Sequence, residues 1–217
     1  MNIALVGASG FVGSAILKEA LNRGHKVTAI VRHPEKITIH HDHLTIEKAD
    51  VLDADQVTKA VNRKDAVISA YNSGWTNPDI YAEFLKGSQS IQAGIKASDV
   101  KRYLVIGGAG SLEVAPGVQA VDTPDFPTAY KPGATAARDY LNILKEEKNL
   151  DWTFFSPAFE MGPQTSGVRK GVYRTSLDTP VFDTDGRSIL SVEDLAVAII
   201  DELENAKHVK QRFTAGY

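Results

Sequence analysis

The apolar run Ile3-Ala4-Leu5-Val6 leads without a break into Gly7-Ala8-Ser9-Gly10-Phe11-Val12-Gly13. Four apolar residues closed by glycine suit a short strand buried on both faces, as in a parallel sheet. From residue 10 to residue 23, Phe11, Val12, Ala15, Ile16, Ala20 and Leu21 recur at helical spacing, and Gly24 stops the pattern. Few architectures accept a strand, a three-glycine turn and a helix in this order. In the one they fit best, Gly7 permits a tight turn out of the strand and Gly10 lets the backbone approach a ligand closely. Gly13 lets the helix pack closely on the sheet. The helix amino terminus then offers free N–H groups and the positive end of its dipole to an anion.

The rest of the chain repeats the alternation. Strand-like runs occur at 27–31, 44–46, 66–70, 103–106, 152–155 and 211–215, with helical patterns near 54–62, 79–97, 133–147 and 192–205. This predicts an α/β fold: a doubly wound, Rossmann-like parallel sheet with helices on both faces. No repeat or linker interrupts it, so residues 1–217 are expected to form a single domain. Two stretches, 107–130 and 157–190, are rich in Gly, Pro, Thr and Asp and follow predicted strands. Such segments are expected as substrate-side loops at the carboxyl edge of the sheet.

In this setting the glycine turn predicts dinucleotide binding, with Gly7, Ser9, Gly10, Phe11, Val12 and Gly13 forming the phosphate loop. Binders of NAD carry an acidic residue about 20 positions on, which holds the ribose 2′-hydroxyl. Here the second strand ends in Val31-Arg32-His33-Pro34-Glu35-Lys36, with Arg32 at that place. A guanidinium suits a 2′-phosphate, so NADP(H) is expected in preference to NAD(H). Asp50, after the third strand, is placed to meet the adenine. Ala70, Tyr71 and Asn72 should brush the cofactor at the end of the fourth strand.

Composition narrows the alternatives. The chain has no cysteine, which removes disulfides, thiol nucleophiles and Cys-based zinc sites. A net charge of −3 gives no general attraction to nucleic acid or anionic membrane. No apolar run approaches the roughly 20 residues of a membrane span. The first strand leaves no room for a signal peptide, so a cytoplasmic protein is expected, as monomer or homodimer. The cluster His40-His41-Asp42-His43 falls on a predicted surface turn without a second set of ligands, and no metal site is expected there.

These motifs, with Gly107-Gly108-Ala109-Gly110-Ser111-Leu112, Ser191-Val-Glu-Asp194-Leu-Ala and Ala129-Tyr130-Lys131-Pro132-Gly133-Ala134, resemble the atypical short-chain dehydrogenase/reductases. Within them the chain is similar to the group named NADH-flavin reductases, related to biliverdin and flavin reductases and to NmrA-like NADP-sensing regulators. The likeness runs from Met1 to Tyr217. It implies an NAD(P)-binding fold throughout, and it carries the fold further than the reaction.

Carbonyl reductases of that superfamily place Tyr and Lys four positions apart, so that one helical turn sets both on one face. Tyrosines stand at 71, 81, 103, 130, 140, 173 and 217, and none has Lys four residues later. Tyr130 and Lys131 are adjacent, and Pro132 favours the first helical turn, leaving Tyr130 just outside it. A ketone taking up hydride becomes a strongly basic alkoxide that needs an acid beside it. A flavin becomes a delocalised anion that water can protonate. The missing pair therefore favours a flavin, quinone or similar aromatic small molecule as acceptor, with flavin a substrate. It also fits a non-catalytic NADP(H) sensor, and it argues against a sugar-nucleotide epimerase or dehydratase.

Ser111 and Tyr130 are the candidate catalytic residues. Ser111 lies where the superfamily commonly keeps a hydroxyl, for substrate or carboxamide, or else it caps a turn. Tyr130 could stack on or hydrogen-bond to a bound ring, or be a half-buried aromatic with a wet tip. Lys131 could reach the cofactor's ribose or phosphate, or sit in solvent. Phe159 and Met161 could wall a flat acceptor or pack in the core, and Trp75 could flank the cleft or mark a partner surface. Arg169, Lys170 and Arg174 give the 164–175 loop a positive character suited to an acidic ligand, or simply a solvated surface. Ser191 and Asp194 match a helix cap.

Overall fold

The computed structural model describes residues 1–217. Buried apolar runs form β1 (Asn2–Val6) and β2 (Lys26–Val31), with α1 (Phe11–Asn22) between them, and the more exposed edge strand β3 (Leu44–Lys48) follows. Next come α2 (Ala54–Val61), β4 (Ala66–Ser69), α3 (Ile80–Lys96) and β5 (Arg102–Ile106). A small hairpin, β6 (Glu113–Ala115) and β7 (Val118–Gln119), precedes α4 (Lys131–Lys145) and β8 (Asp151–Ser156). The chain closes with β9 (Arg174–Ser176), α5 (Val192–Asn205) and β10 (Gln211–Gly216).

One eight-stranded sheet runs in the order β3-β2-β1-β4-β5-β8-β10-β9. Neighbours are parallel except for β9, which is antiparallel to β10. The chain leaves β1 toward β2 and β3, then returns to the other side of β1 with β4. That reversal opens a crevice above β1 and β4, the place where ligands bind in open α/β sheets.

Each sheet face carries its own core. Ile3, Leu5, Ile16, Leu17, Ile199 and Phe213 belong to the cluster under α1 and α5. Val6, Val67, Ile91, Tyr103, Tyr140 and Phe154 belong to the cluster under α2, α3 and α4. Alternate side chains of one strand feed opposite clusters, so the central strands read as continuous apolar runs. Tyr103 and Tyr140 meet hydroxyl to hydroxyl at 3.2 Å in the second cluster, and burial pushes the Tyr103 phenol up to about 12.

Helix α4 starts two residues earlier than its periodicity predicts. Pro132 occupies the first turn, where its missing N–H has no helical partner to lose. The sequence pattern does not reveal β6, β7 and β9, because strands of two or three residues are too short to show alternation. No helix is long and apolar enough to cross a membrane.

Candidate cofactor site and substrate-side loops

The glycine turn crosses the mouth of the crevice. Gly7 has φ +76°, and a Cβ there would lie 2.6 Å from the Ala70 carbonyl oxygen at the end of β4. A Cβ on Gly13 would lie 2.1 Å from the Gly7 carbonyl oxygen. These two positions exclude any side chain, and together they press the first turn of α1 against the end of β1. Gly10 is the N-cap of α1, so no side chain covers the first N–H groups, and no acidic residue stands in the first turn. Backbone N–H groups and a dipole end are therefore open to an anion. Ser9, Gly10 and Phe11 are exposed, and Val12 is half-buried.

Arg32 is exposed immediately beyond β2, and no ion pair takes up its guanidinium. The nearby Glu35 instead meets His33 at 3.1 Å. Asp50 is also exposed, and its Oδ1 accepts the Leu52 N–H at 3.0 Å. Tyr71, just after β4, is half-buried against α3 and donates its hydroxyl to the Glu83 carbonyl at 3.2 Å. Burial raises its phenol, the Arg32 charge opposes that, and Glu83 and Asp50 add to it. Arg32 and Asp50 thus lie near enough to be felt at one phenol, at the end of the edge where an adenosine half would rest. Ala70 and Asn72 flank Tyr71, with Ala70 against Gly7.

The substrate side differs from expectation at Ser111. Its side chain is fully buried, donates to the Gly108 carbonyl at 3.0 Å, and meets the Ser156 hydroxyl at 2.9 Å. Arg212, itself buried on β10, donates to the Ser111 carbonyl and pairs with Asp178. The Glu113 N–H also donates to the Asp178 carbonyl, at 2.8 Å. In this conformation Ser111 therefore anchors the loop and does not face the cleft. Arg212 ties both substrate-side loops to the sheet. Reading the sequence misses this hub, since an arginine inside a final strand looks like a solvent-facing residue.

Tyr130 is the N-cap of α4, as Pro132 predicts, and it is exposed together with Lys131. One turn below it stands Ala134, which packs against Gly110. Trp75 reaches Tyr130 from the loop after β4, edge to face, with ring centroids 5.5 Å apart. Phe159 is 39% exposed, whereas Met161 packs against the first core cluster.

The three cations of the 164–175 loop all make contacts within the chain, Arg169 alone in an ion pair. Arg169 grips the buried Glu19 with two nitrogens, at 3.1 and 2.8 Å. Arg23 reaches the same carboxylate at 2.8 Å and Asp201 at 2.7 Å. The bonds from Arg169, followed by those from Arg23, hold the Glu19 carboxyl below its usual range against its burial. The Lys170 ammonium lies 3.5 Å above the Tyr217 ring, and Arg174 donates to the Phe182 and Tyr217 carbonyls. Arg169 thus straps the segment to α1, while Lys170 and Arg174 hold it to Tyr217 and Phe182. Ser191 caps α5 as expected, accepting the Asp194 N–H at 3.0 Å. The buried Asp194 does more than cap: it accepts the N–H groups of Lys170 and Gly171 at 2.9 and 2.8 Å and the Tyr217 hydroxyl.

His41 and His43 touch edge to face on a surface turn, and no three His, Asp or Glu side chains converge to hold a metal. A cavity of about 340 Å³ lies along α1 between Phe11, Lys18, Asn22, Arg169 and Glu193, beside the phosphate loop rather than above the crevice.

The residues at the crevice fit a nicotinamide dinucleotide on two counts, a cradle that a Cβ would fill and a cation beside it. Comparison with known proteins agrees. A family model described as NAD(P)H-binding matches residues 7–206. The uncharacterized Bacillus subtilis protein YwnB is 38% identical over 216 residues, which cover 99% of this chain and 97% of that one. A solved Bacteroides thetaiotaomicron protein, provisionally named an epimerase, is 51% identical with a TM-score of 0.91, covering 100% of this chain and 96% of that one. A solved Streptococcus pneumoniae protein, provisionally named an NADH-flavin reductase, is 35% identical with a TM-score of 0.85, covering 100% of this chain and 99% of that one. This chain belongs to the NAD(P)H-binding family, as a Rossmann-like protein of the atypical short-chain dehydrogenase/reductase group.

Proposed function

We propose that the protein is an NADPH-dependent reductase acting on a flavin, quinone or similar conjugated acceptor. The amide-lined turn Gly10–Val12 binds the pyrophosphate, and Arg32 pairs with the 2′-phosphate. Asp50 and Tyr71 border the adenosine, and Lys131 reaches the nicotinamide ribose or phosphate. The acceptor gains two electrons and a proton as hydride from bound NADPH, and takes its second proton from water.

The first turn of α4 carries this reading: Tyr130 has Ala134, not a lysine, one turn below it. Without an ammonium to lower its pKa and hold it in register, a tyrosine is a poor acid at neutral pH. An acceptor whose reduced form is a delocalised anion needs no such acid. Rate then comes from holding two rings together and in line. The same missing lysine weighs against the epimerase reading that one relative's name suggests.

The buried Ser111 hydroxyl favours a second reading, a non-catalytic NADP(H) sensor, because it removes another polar group from the cleft. NADPH oxidation followed with free flavins and quinones in excess separates the two. Saturable turnover well above the uncatalysed rate is expected, and its absence with every acceptor refutes the reductase reading.

A further inference from the structure

Two large aromatic side chains stand exposed beside the crevice, Trp75 at 57% and Tyr130 at 55%. They come from different elements, and the fold brings them together. Trp75 lies on the loop that leaves β4, the strand whose end presses on Gly7. Tyr130 lies one turn above Ala134, which rests on Gly110 in the loop that leaves β5. The pair therefore sits over the ends of β4 and β5, beside the crevice, on the side away from Arg32.

The corner is built into the backbone. A Cβ on Gly133 would lie 2.9 Å from the Trp75 ring and 2.9 Å from Ile80 Cδ1, so only glycine leaves room for the indole. The loop under Trp75 is fixed by Ser73 Oγ donating to the Ile80 carbonyl at 3.3 Å and by Asn77 Nδ2 donating to Glu83 at 2.8 Å. The two rings stand at 87° to each other, which gives a flat molecule one face to stack on and one edge to meet. Neither the indole N–H nor the phenol hydroxyl has a partner within the chain, so both tips are free for polar atoms on a ring's rim.

We propose that Trp75 and Tyr130 form the stacking corner for the planar acceptor, with Trp75 setting specificity for extended ring systems. This rests on the reductase reading and names the residues that would recognise its acceptor. A three-ring flavin covers the indole face more fully than a one-ring quinone does, so flavin should bind tighter.

The test is titration of FMN into NADP⁺-saturated protein, followed by tryptophan emission and by calorimetry. The chain has two tryptophans, and Trp152 is 3% exposed, so only Trp75 can be quenched by contact, and energy transfer from Trp152 to FMN is read separately in Trp75→Phe. Saturable quenching is expected in the wild type. Trp75→Phe should lose the contact part of the quenching, leaving only energy transfer from Trp152, yet keep FMN affinity within about threefold by calorimetry, because a ring remains. Trp75→Ala should weaken FMN about tenfold and leave NADP⁺ affinity unchanged. Gly133→Ala, which drives a methyl into the indole, should move FMN affinity the same way. If FMN binds and turns over in Trp75→Ala as in the wild type, the corner is refuted and the reductase reading stands. If NADP⁺ binds but neither FMN nor a quinone binds the loaded protein, both fail.

Discussion

The two halves of the carboxyl edge handle charge in opposite ways. Around β1 and β2, charge-seeking groups are left open: the first N–H groups of α1 have no capping side chain, and Arg32 has no carboxylate. On the substrate side Arg169 pairs with Glu19, Arg187 with Glu160, Arg212 with Asp178 and Arg138 with Asp122 and Asp139, while Lys170 lies over the Tyr217 ring and Arg174 donates to the Phe182 carbonyl. Unmatched positive charge and bare amides mark a place for an anion, whereas matched charge marks a scaffold. The scaffold half holds loops that would otherwise cost much conformational entropy to order.

This contrast can be broken from either side. Gly13→Val should have the largest effect, because even the Cβ would lie 2.1 Å from the Gly7 carbonyl. We expect a loss of about 3 kcal/mol or more of stability and no measurable dinucleotide binding, by thermal melting and calorimetry. Asp194→Ala strips the partners from two N–H groups and a tyrosine hydroxyl. It should cost about 3 kcal/mol in chemical denaturation, and hydrogen exchange should rise at Lys170 and Gly171. Arg32→Ala should leave stability within about 0.5 kcal/mol of the wild type while weakening NADP⁺ about 10- to 100-fold and NAD⁺ little.

Arg169→Ala should have the smallest effect, about 0.5–1 kcal/mol of stability with no change in NADP⁺ affinity, since the arginine is half exposed. Its partner gives a pH signature. Glu19 titrates below its ordinary value of 4.5 when folded, through Arg169 first and Arg23 next. Its contribution is therefore whole above that value and fades as pH falls through the lowered folded one. The stability gap between wild type and Glu19→Gln should accordingly be constant near neutrality and shrink in acid. A gap that grows in acid contradicts the pairing.

Much of the fold was legible because periodicity and glycine placement are local. The predicted runs at 66–70 and 152–155 correspond to β4 and β8, and the helix predicted near 192–205 is α5. The family and its nicotinamide cofactor were equally legible from the turn at residues 7–13 and the segments quoted with it. The substrate side was not legible to the same degree. Ser111 reads as a free hydroxyl until Ser156, 45 residues later, closes over it. Arg169 reads as a ligand-binding cation until Glu19, 150 residues earlier, claims it. Glu19 gave one faint signal, an Arg four residues on at Arg23, but nothing in the sequence pointed to the strap. Long-range pairing decides whether a polar side chain serves a ligand or the fold, and no local window contains that pairing.

The central claim is that the phosphate loop and the unmatched Arg32 together recognise NADP(H). Calorimetric titration of the intact protein with NADP⁺ and with NAD⁺, repeated on Arg32→Ala, tests it most directly. Micromolar or tighter NADP⁺ binding, at least about tenfold weaker NAD⁺, and loss of that preference in the variant are expected. Equal or tighter NAD⁺ binding by the wild type, or a preference that survives the removal of Arg32, would contradict it.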